Sequence, residues 1–362
     1  MTSVDLHERV RRFIAAASPP EPFDDLALAL SAHQVARVPP VRRLFERAGL
    51  AVDALADADA IPAVPTDAFR HRRIACHPPD EDVRVFATSG TTGGSEQRGR
   101  HPMRDLATYR LGALTWGRGM LFPDTDELAT VALVADETVA PESSLSYMVA
   151  RFAEILTGPA SFHWDGERLD VDGVRRAVRS LEGSALVAGT SFAFVHLLDT
   201  LGDERLALPE GSRVMQTGGF KGRSRSVEAA TLRRAIADRF GLDEAMVISE
   251  YGMTELGSQL YQTTLKSAVL GSPPAESPTA YAAPPWLRVR AVDPLTLAPV
   301  APGEVGLARF VDLANVDSSV AIQTSDRILV HEDGTLELLG RAPGATPRGC
   351  SLALEHLLDE SP

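Results

Sequence analysis

From Val83 to Ser249 the chain alternates short apolar runs with amphipathic stretches, and few folds accommodate that alternation. Val83–Thr88, Leu128–Val134, Ala185–Ala188, Arg213–Gln216 and Met246–Ser249 read as strands. Asp105–Arg118, Leu145–Leu156, Val174–Leu181 and Val227–Phe240 carry apolar residues at helical spacing. Strands and helices alternating this way build an α/β layered fold with largely parallel pairing. Ahead of it, Leu6–Ala17 and Leu26–Leu50 read as helices punctuated by Pro19, Pro20, Pro39 and Pro40. After about residue 270 the helical period disappears and prolines crowd, at 273, 274, 278, 284 and 285. Leu287–Val292, Gly303–Val311, Val320–Val330 and Thr335–Leu339 then read as short strands, with Glu332–Thr335 as a hairpin turn and Leu352–Leu358 as a closing helix. The expected organisation is a helical part over 1–80, an α/β core over 81–282 and a smaller β-rich lobe over 283–362.

Composition narrows the function. The 362 residues carry a net charge of −13 with no basic run or stripe, which speaks against nucleic acid as a partner. No run is long and apolar enough to span a membrane, and the N-terminus lacks a basic region followed by an apolar core, so a cytoplasmic protein is expected. The cysteines are Cys76 and Cys350, with no C-x-x-C pair and no H-E-x-x-H; His71, Cys76 and His77 fit no common ligand spacing. Lys221 and Lys266 are the lysines among 36 basic residues.

Four loops carry chemistry. Thr88-Ser89-Gly90-Thr91-Thr92-Gly93-Gly94 follows a strand and combines hydroxyls with glycines, a composition that brings N–H and O–H donors close to a polyphosphate. A solvated turn has the same composition. No Gly-Lys-Ser/Thr follows, which excludes a Walker loop, and the glycine spacing excludes a dinucleotide fingerprint. Tyr251-Gly252-Met253-Thr254-Glu255 follows another buried strand; Glu255 could hold Mg2+ and Thr254 could donate to phosphate, or the two could simply begin a helix. Thr217–Gly222 places Gly218 and Gly219 where a flat ring could lie, with Lys221 as a nearby cation or as a plain surface lysine. Asp326 could accept from ribose hydroxyls with Arg341 close by, or the two could form an exposed ion pair.

In their order along the chain, these motifs resemble the core series of the adenylate-forming superfamily, which includes acyl-CoA synthetases, adenylation domains and luciferases. The likeness covers residues from about 83 to 349. Pro141–Met148, Gly189–Phe194, Gly218–Gly222 and Arg348–Leu352 are similar to the LuxE-type acyl-protein synthetase branch. The resemblance implies that Thr88, Ser89, Gly90, Thr91, Thr92 and Gly93 cradle the β- and γ-phosphates of ATP. It puts Gly218 and Gly219 in the adenine and acyl pocket, Tyr251 and Gly252 near adenine, and Thr254 on the α-phosphate. By the same resemblance Glu255 would bind Mg2+, and Asp326 would take the ribose beside Arg341.

There are two departures from the family pattern. The phosphate loop lacks the usual Pro-Lys, leaving Arg98 or Arg100 as its cation, and the chain ends at Pro362, where the superfamily's C-terminal domain and its catalytic lysine would begin. Lys221 is the candidate stand-in. The implied reaction turns a carboxylic acid and ATP into acyl-AMP and pyrophosphate, then passes the acyl group to a thiol. Cys350 is the candidate acceptor, with a reductase or carrier protein as onward partner. Release of acyl-AMP to CoA or a carrier-protein thiol is the alternative, and a non-catalytic nucleotide- or acyl-binding relative is a third. Leu145, Tyr147, Met148, Phe192 and Phe194 would line an apolar pocket suited to a fatty or aromatic acid.

Overall fold

Helices open the chain where the sequence supplies caps. The structure, a computed structural model, describes residues 1–89, 98–218, 228–271, 277 and 279–342. α1 (Ser3–Ala15) begins at Thr2, whose hydroxyl accepts from the Asp5 N–H at 3.2 Å while the Asp5 carboxylate accepts from the Thr2 N–H at 2.9 Å. The stretch expected as Leu26–Leu50 is two helices. α2 (Phe23–Arg37) stops before Val38, and Pro39 and Pro40 form the first turn of α3 (Pro39–Ala48), where a missing N–H costs little.

The chain continues through β1 (Val64–Pro65), α4 (Ala68–His71), β2 (Arg84–Ala87), β3 (Arg100–Met103) and α5 (Leu106–Leu121). An alternating run follows: β4 (Ala129–Ala135), α6 (Ser144–Ile155), β5 (Ala160–Trp164), α7 (Val171–Arg179), β6 (Ala185–Thr190), α8 (Ser191–Leu201), β7 (Arg213–Thr217), α9 (Ala229–Phe240) and β8 (Val247–Tyr251). After β9 (Leu260–Gln262), α10 (Thr264–Leu270) and β10 (Tyr281–Ala282), the strands β11 (Leu287–Val292), β12 (Val305–Asp312), β13 (Ala321–Val330) and β14 (Leu336–Arg341) complete the described chain. The closing helix expected over Leu352–Leu358 lies outside the described residues.

Two units form. One comprises Trp116–Gly252 and Leu260–Tyr281. Its strands run in the order β9-β8-β7-β6-β4-β5, parallel from β8 to β5, with β9 antiparallel to β8. α7, α8 and α9 cover one face, burying Val174, Phe194 and Ile236 against Val131, Val187, Val214 and Val247. Apolar burial of this kind contributes about 25 cal/mol per Å² and is the main force holding the layers together. Parallel pairing puts the carboxyl ends of β6, β7 and β8 at the same edge.

The other unit comprises Met1–Thr115, Met253–Gln259 and Ala282–Pro362. Here β11, β12, β13 and β14 form an antiparallel ladder, and β1 adds to β13 in parallel. The expected turn joins β13 to β14, with the His331 N–H donating to the Thr335 carbonyl at 2.8 Å and Gly334 at φ 81. β2 and β3 form a separate antiparallel hairpin.

Candidate active site

The β2–β3 hairpin carries both ends of the expected phosphate loop. Ala87 pairs with Arg100, and the ladder extends one step further. The Thr88 N–H donates to the Gly99 carbonyl at 2.9 Å, and the Gly99 N–H donates to the Thr88 hydroxyl at 3.0 Å. Arg98 Nε donates to the Thr88 carbonyl at 2.5 Å, so this arginine helps close the hairpin, while Arg100 is exposed. Ser89 is exposed, whereas Gly90, Thr91, Thr92 and Gly93 lie outside the described residues.

Glu255 meets this hairpin from far along the chain. A Cβ on Gly99 would lie 3.1 Å from Glu255 Oε1, 3.2 Å from Thr88 Cγ2 and 3.7 Å from Arg70 Cγ, so the carboxylate and the loop base both border a residue without a side chain. Glu255 is 6% exposed. Thr254 and Glu255 form a turn with the Leu256 N–H donating to the Met253 carbonyl at 3.1 Å, and the next helix begins only at Thr264. The helix-start alternative for these residues therefore falls.

Side chains from several elements grip the main chain of this turn. His101 Nδ1 lies 2.7 Å from the Thr254 carbonyl, which requires the proton on Nδ1. Burial pushes the His101 pKa down to about 4, with the Thr254 hydrogen bond acting in the opposite direction, so the ring is neutral. Asn315 Nδ2 donates to the Glu255 carbonyl at 2.9 Å and to the Ser319 carbonyl at 3.1 Å. Asp312 accepts from the Gly257 N–H at 2.9 Å and the Ser258 hydroxyl at 2.7 Å. Burial raises its pKa to about 6 against those hydrogen bonds. Sequence reasoning missed all three residues. The available signal was the run Asp312–Ser319, polar yet free of Gly and Pro, between two apolar strands.

Asp326 and Arg341 face one another across β13 and β14, with Arg341 Nε 3.2 Å from Asp326 Oδ1. Arg341 is 68% exposed and Asp326 17%. In the parallel-sheet unit, Gly218 follows β7 at φ 79, and its carbonyl accepts from the Ser191 hydroxyl at 2.5 Å. Tyr251 ends β8, and Gly252 is exposed beyond it. Thr217 and Glu250 are register partners there, the hydroxyl donating to the carboxyl. Burial raises the Glu250 pKa to about 7, only partly opposed by Thr217. Gly219, Lys221 and Cys350 lie outside the described residues.

The expected apolar pocket needs correcting. Phe194 is fully buried in the helix-covered core, where it packs with Val187 and Val214. Phe192, two residues earlier on the same helix, is 37% exposed and meets Trp164 edge-on at 6.2 Å. A helix turns neighbours two apart to different faces, so the pair cannot line one pocket. Met148 remains a candidate, buried with its sulfur 3.6 Å from the Tyr261 hydroxyl, as does Tyr147, beneath the Arg151 guanidinium.

Among the described residues, His33, Cys76 and Asp317 bring possible metal-ligand atoms within 4.8 Å of one another. Both Asp317 oxygens are already engaged. Ser3 Oγ and Arg104 each lie 2.6 Å from Oδ1, and His7 Nε2 lies 2.9 Å from Oδ2. Burial would raise the Asp317 pKa, but hydrogen bonds from His7, Arg104 and Ser3 outweigh it and hold the carboxyl below its usual range. A guanidinium on the carboxylate repels a cation, and burial pushes the Cys76 thiol up to about 12. This cluster is a buried ionic knot.

Residues 51–359 match the family described as acyl-protein synthetase, LuxE. The chain belongs to that family. It is 24% identical over 330 residues to the long-chain-fatty-acid–luciferin-component ligase of Aliivibrio fischeri, covering 85% of this chain and 82% of that one. The Vibrio harveyi ligase of the same name is also 24% identical, over 333 residues. As a member of the acyl-protein synthetase family the chain is a ligase. A 2-hydroxyisobutyryl-CoA ligase structure shares the fold, with a TM-score of 0.64 and 15% identity over 91% of this chain and 75% of that one. ATP-bound MatB from Rhodopseudomonas palustris superposes with a TM-score of 0.52 and 16% identity over 73% of this chain, and the match spans only 49% of that structure. The fold is the mixed α/β fold of adenylate-forming enzymes. No described helix is long and apolar enough to cross a membrane.

Proposed function

We propose that this acyl-protein synthetase activates a fatty or aromatic carboxylic acid with ATP. The acid's carboxylate oxygen attacks the α-phosphorus and the bond to the β-phosphate oxygen breaks. Pyrophosphate leaves with the electron pair, and acyl-AMP remains. A thiolate then attacks the acyl carbon and AMP departs, leaving a thioester. The observation that carries this reading is that Thr88 and Glu255 both border Gly99, which brings a phosphate-loop base near a buried carboxylate. Thr88, Ser89 and the following loop residues would bind the phosphates, Thr254 the α-phosphate, Asp326 the ribose, and Gly218 and Tyr251 the adenine.

The donor set fits Mg2+, a hard cation bound through one or two carboxylates and substrate phosphates. Glu255 supplies a carboxylate oxygen near Gly99, where the other contacts are Thr88 Cγ2 and, at 3.7 Å, the aliphatic Cγ of Arg70, so neither thiol nor imidazole competes among them. When bound, the ion would offset phosphate charge. Lys221 would stabilise charge on the reacting phosphate, and Cys350 would receive the acyl group before a reductase or carrier protein takes it.

Pyrophosphate release over a panel of carboxylic acids tests this reading. Fatty or aromatic acids are expected to support release, and Glu255→Ala and Lys221→Ala are each expected to lower it about 100-fold. Mass spectrometry of the same reactions should show an acyl adduct that disappears in Cys350→Ser. An adduct-free enzyme that turns over only with added CoA or carrier protein would transfer the role to an external thiol. No release with any acid would overturn the assignment.

A further inference from the structure

Glu255 sits in a turn outside helix and strand, so nothing in regular backbone pairing fixes its carboxylate. Yet the hairpin that carries the phosphate-loop base reaches this turn at two points. Gly99 lets Glu255 Oε1 approach its backbone, and two residues on, His101 Nδ1 holds the Thr254 carbonyl at 2.7 Å. From the opposite side in sequence, Asn315 Nδ2 holds the Glu255 carbonyl at 2.9 Å. His101 is 2% exposed and packs edge-on against Phe69 with centroids 5.8 Å apart, and Asn315 is also 2% exposed. Both donors are therefore fixed by packing and address consecutive carbonyls.

We infer that His101 and Asn315 are positioning residues whose paired grip on the Thr254 and Glu255 carbonyls holds the Glu255 carboxylate beside Gly99 of the β2–β3 hairpin for metal-bound ATP. This rests on the reading of Glu255 as the magnesium ligand. A buried carbonyl stripped of its donor loses its hydrogen bond without gaining water, so the turn relaxes and the carboxylate moves with it. Outer partners of metal ligands act in this way, and their loss weakens metal binding about 10- to 100-fold. His101→Asn keeps a donor near the Nδ1 position, whereas His101→Leu removes it.

The test measures Mn2+ binding in the presence of ATP by electron paramagnetic resonance. Alongside it run the Mg2+ dependence of pyrophosphate release and a thermal melt of each variant. His101→Leu and Asn315→Ala are expected to raise the Mn2+ dissociation constant and the Mg2+ half-saturation together, about tenfold, while metal-free ATP binding is unchanged. His101→Asn is expected within about threefold of the parent, because the donor survives. Unchanged metal affinity in either folded variant would overturn the inference, as would His101→Asn weakening binding as much as His101→Leu. If one variant does not fold, the other decides. A parent enzyme that binds no Mn2+ with ATP and releases no pyrophosphate would instead sink the metal-site reading. An active parent with indifferent variants sinks only the grip.

Discussion

Residue 99 has no side chain, and its surroundings show why. A methyl group there would stand 3.1 Å from Glu255 Oε1 and 3.2 Å from Thr88 Cγ2, tighter than comfortable contact. The backbone at Gly99 is not left-handed, so alanine would fit its conformation and act through the methyl alone. Gly99→Ala is expected to melt near the parent temperature yet lose about tenfold in kcat/KM for pyrophosphate release, because small misplacements of catalytic groups cost rate more than stability. Equal kcat/KM would show that the carboxylate can give way freely. Thr88, Ser89, Thr254 and Glu255 can be proposed from the sequence because hydroxyls, glycines and a carboxylate crowd immediately after apolar strands. His101 and Asn315 were not, because each is a single polar residue whose partner is distant in sequence.

At the scale of elements, β4 and β6 pair Leu133 with Gly189. A Cβ on Gly189 would lie 2.7 Å from the Leu133 Cβ, and neither backbone can retreat within a paired sheet. Gly189→Ala is therefore expected to destabilise by about 1–3 kcal/mol in chemical denaturation, the usual cost of overpacking; a change within error would mean that the strands separate freely. The strands β4 and β6 were readable because buried parallel strands are near-continuous apolar runs, and β7 and β8 through their shorter apolar centres, Val214-Met215 and Val247-Ile248. β3 was not, because it consists of Arg100, His101, Pro102 and Met103. Proline is tolerated there because the hairpin leaves this strand at an edge. α8 escaped notice because it opens on the unbroken apolar run Phe192–Val195, which blurs the helical period.

Across the whole molecule, buried titratable groups pull stability in opposite directions with pH. His101 is held neutral, with its pKa lowered from 6.5 to about 4, so the unfolded chain binds the extra proton. Stability therefore falls as pH drops from the ordinary histidine value towards the folded one, by about 3 kcal/mol if fully expressed. Glu250 is held protonated, raised from 4.5 to about 7, so the folded chain keeps the proton that the unfolded chain releases. Its contribution is lost as pH rises through that window. Glu250→Gln keeps the shape without the ionisation, so its stability relative to the parent should increase from about pH 5 to about pH 8. Parallel melting curves for the two proteins across that range would contradict the assignment.

The buried run from Asp312 to Val320 has a consequence for where this protein can be cut. Asn315 and Asp312 hold the turn that carries Glu255, while the same run is tied to the first two helices. Gln34 donates to the carbonyls of Asn315 and Val316 and accepts from the Val320 N–H, and Ser3 and His7 satisfy Asp317. The family match begins only at residue 51, beyond both helices. A polypeptide trimmed to the matched stretch would leave the Asp317 charge and several main-chain groups buried without those partners. Where kinship with other sequences begins is thus no guide to where this folded unit begins.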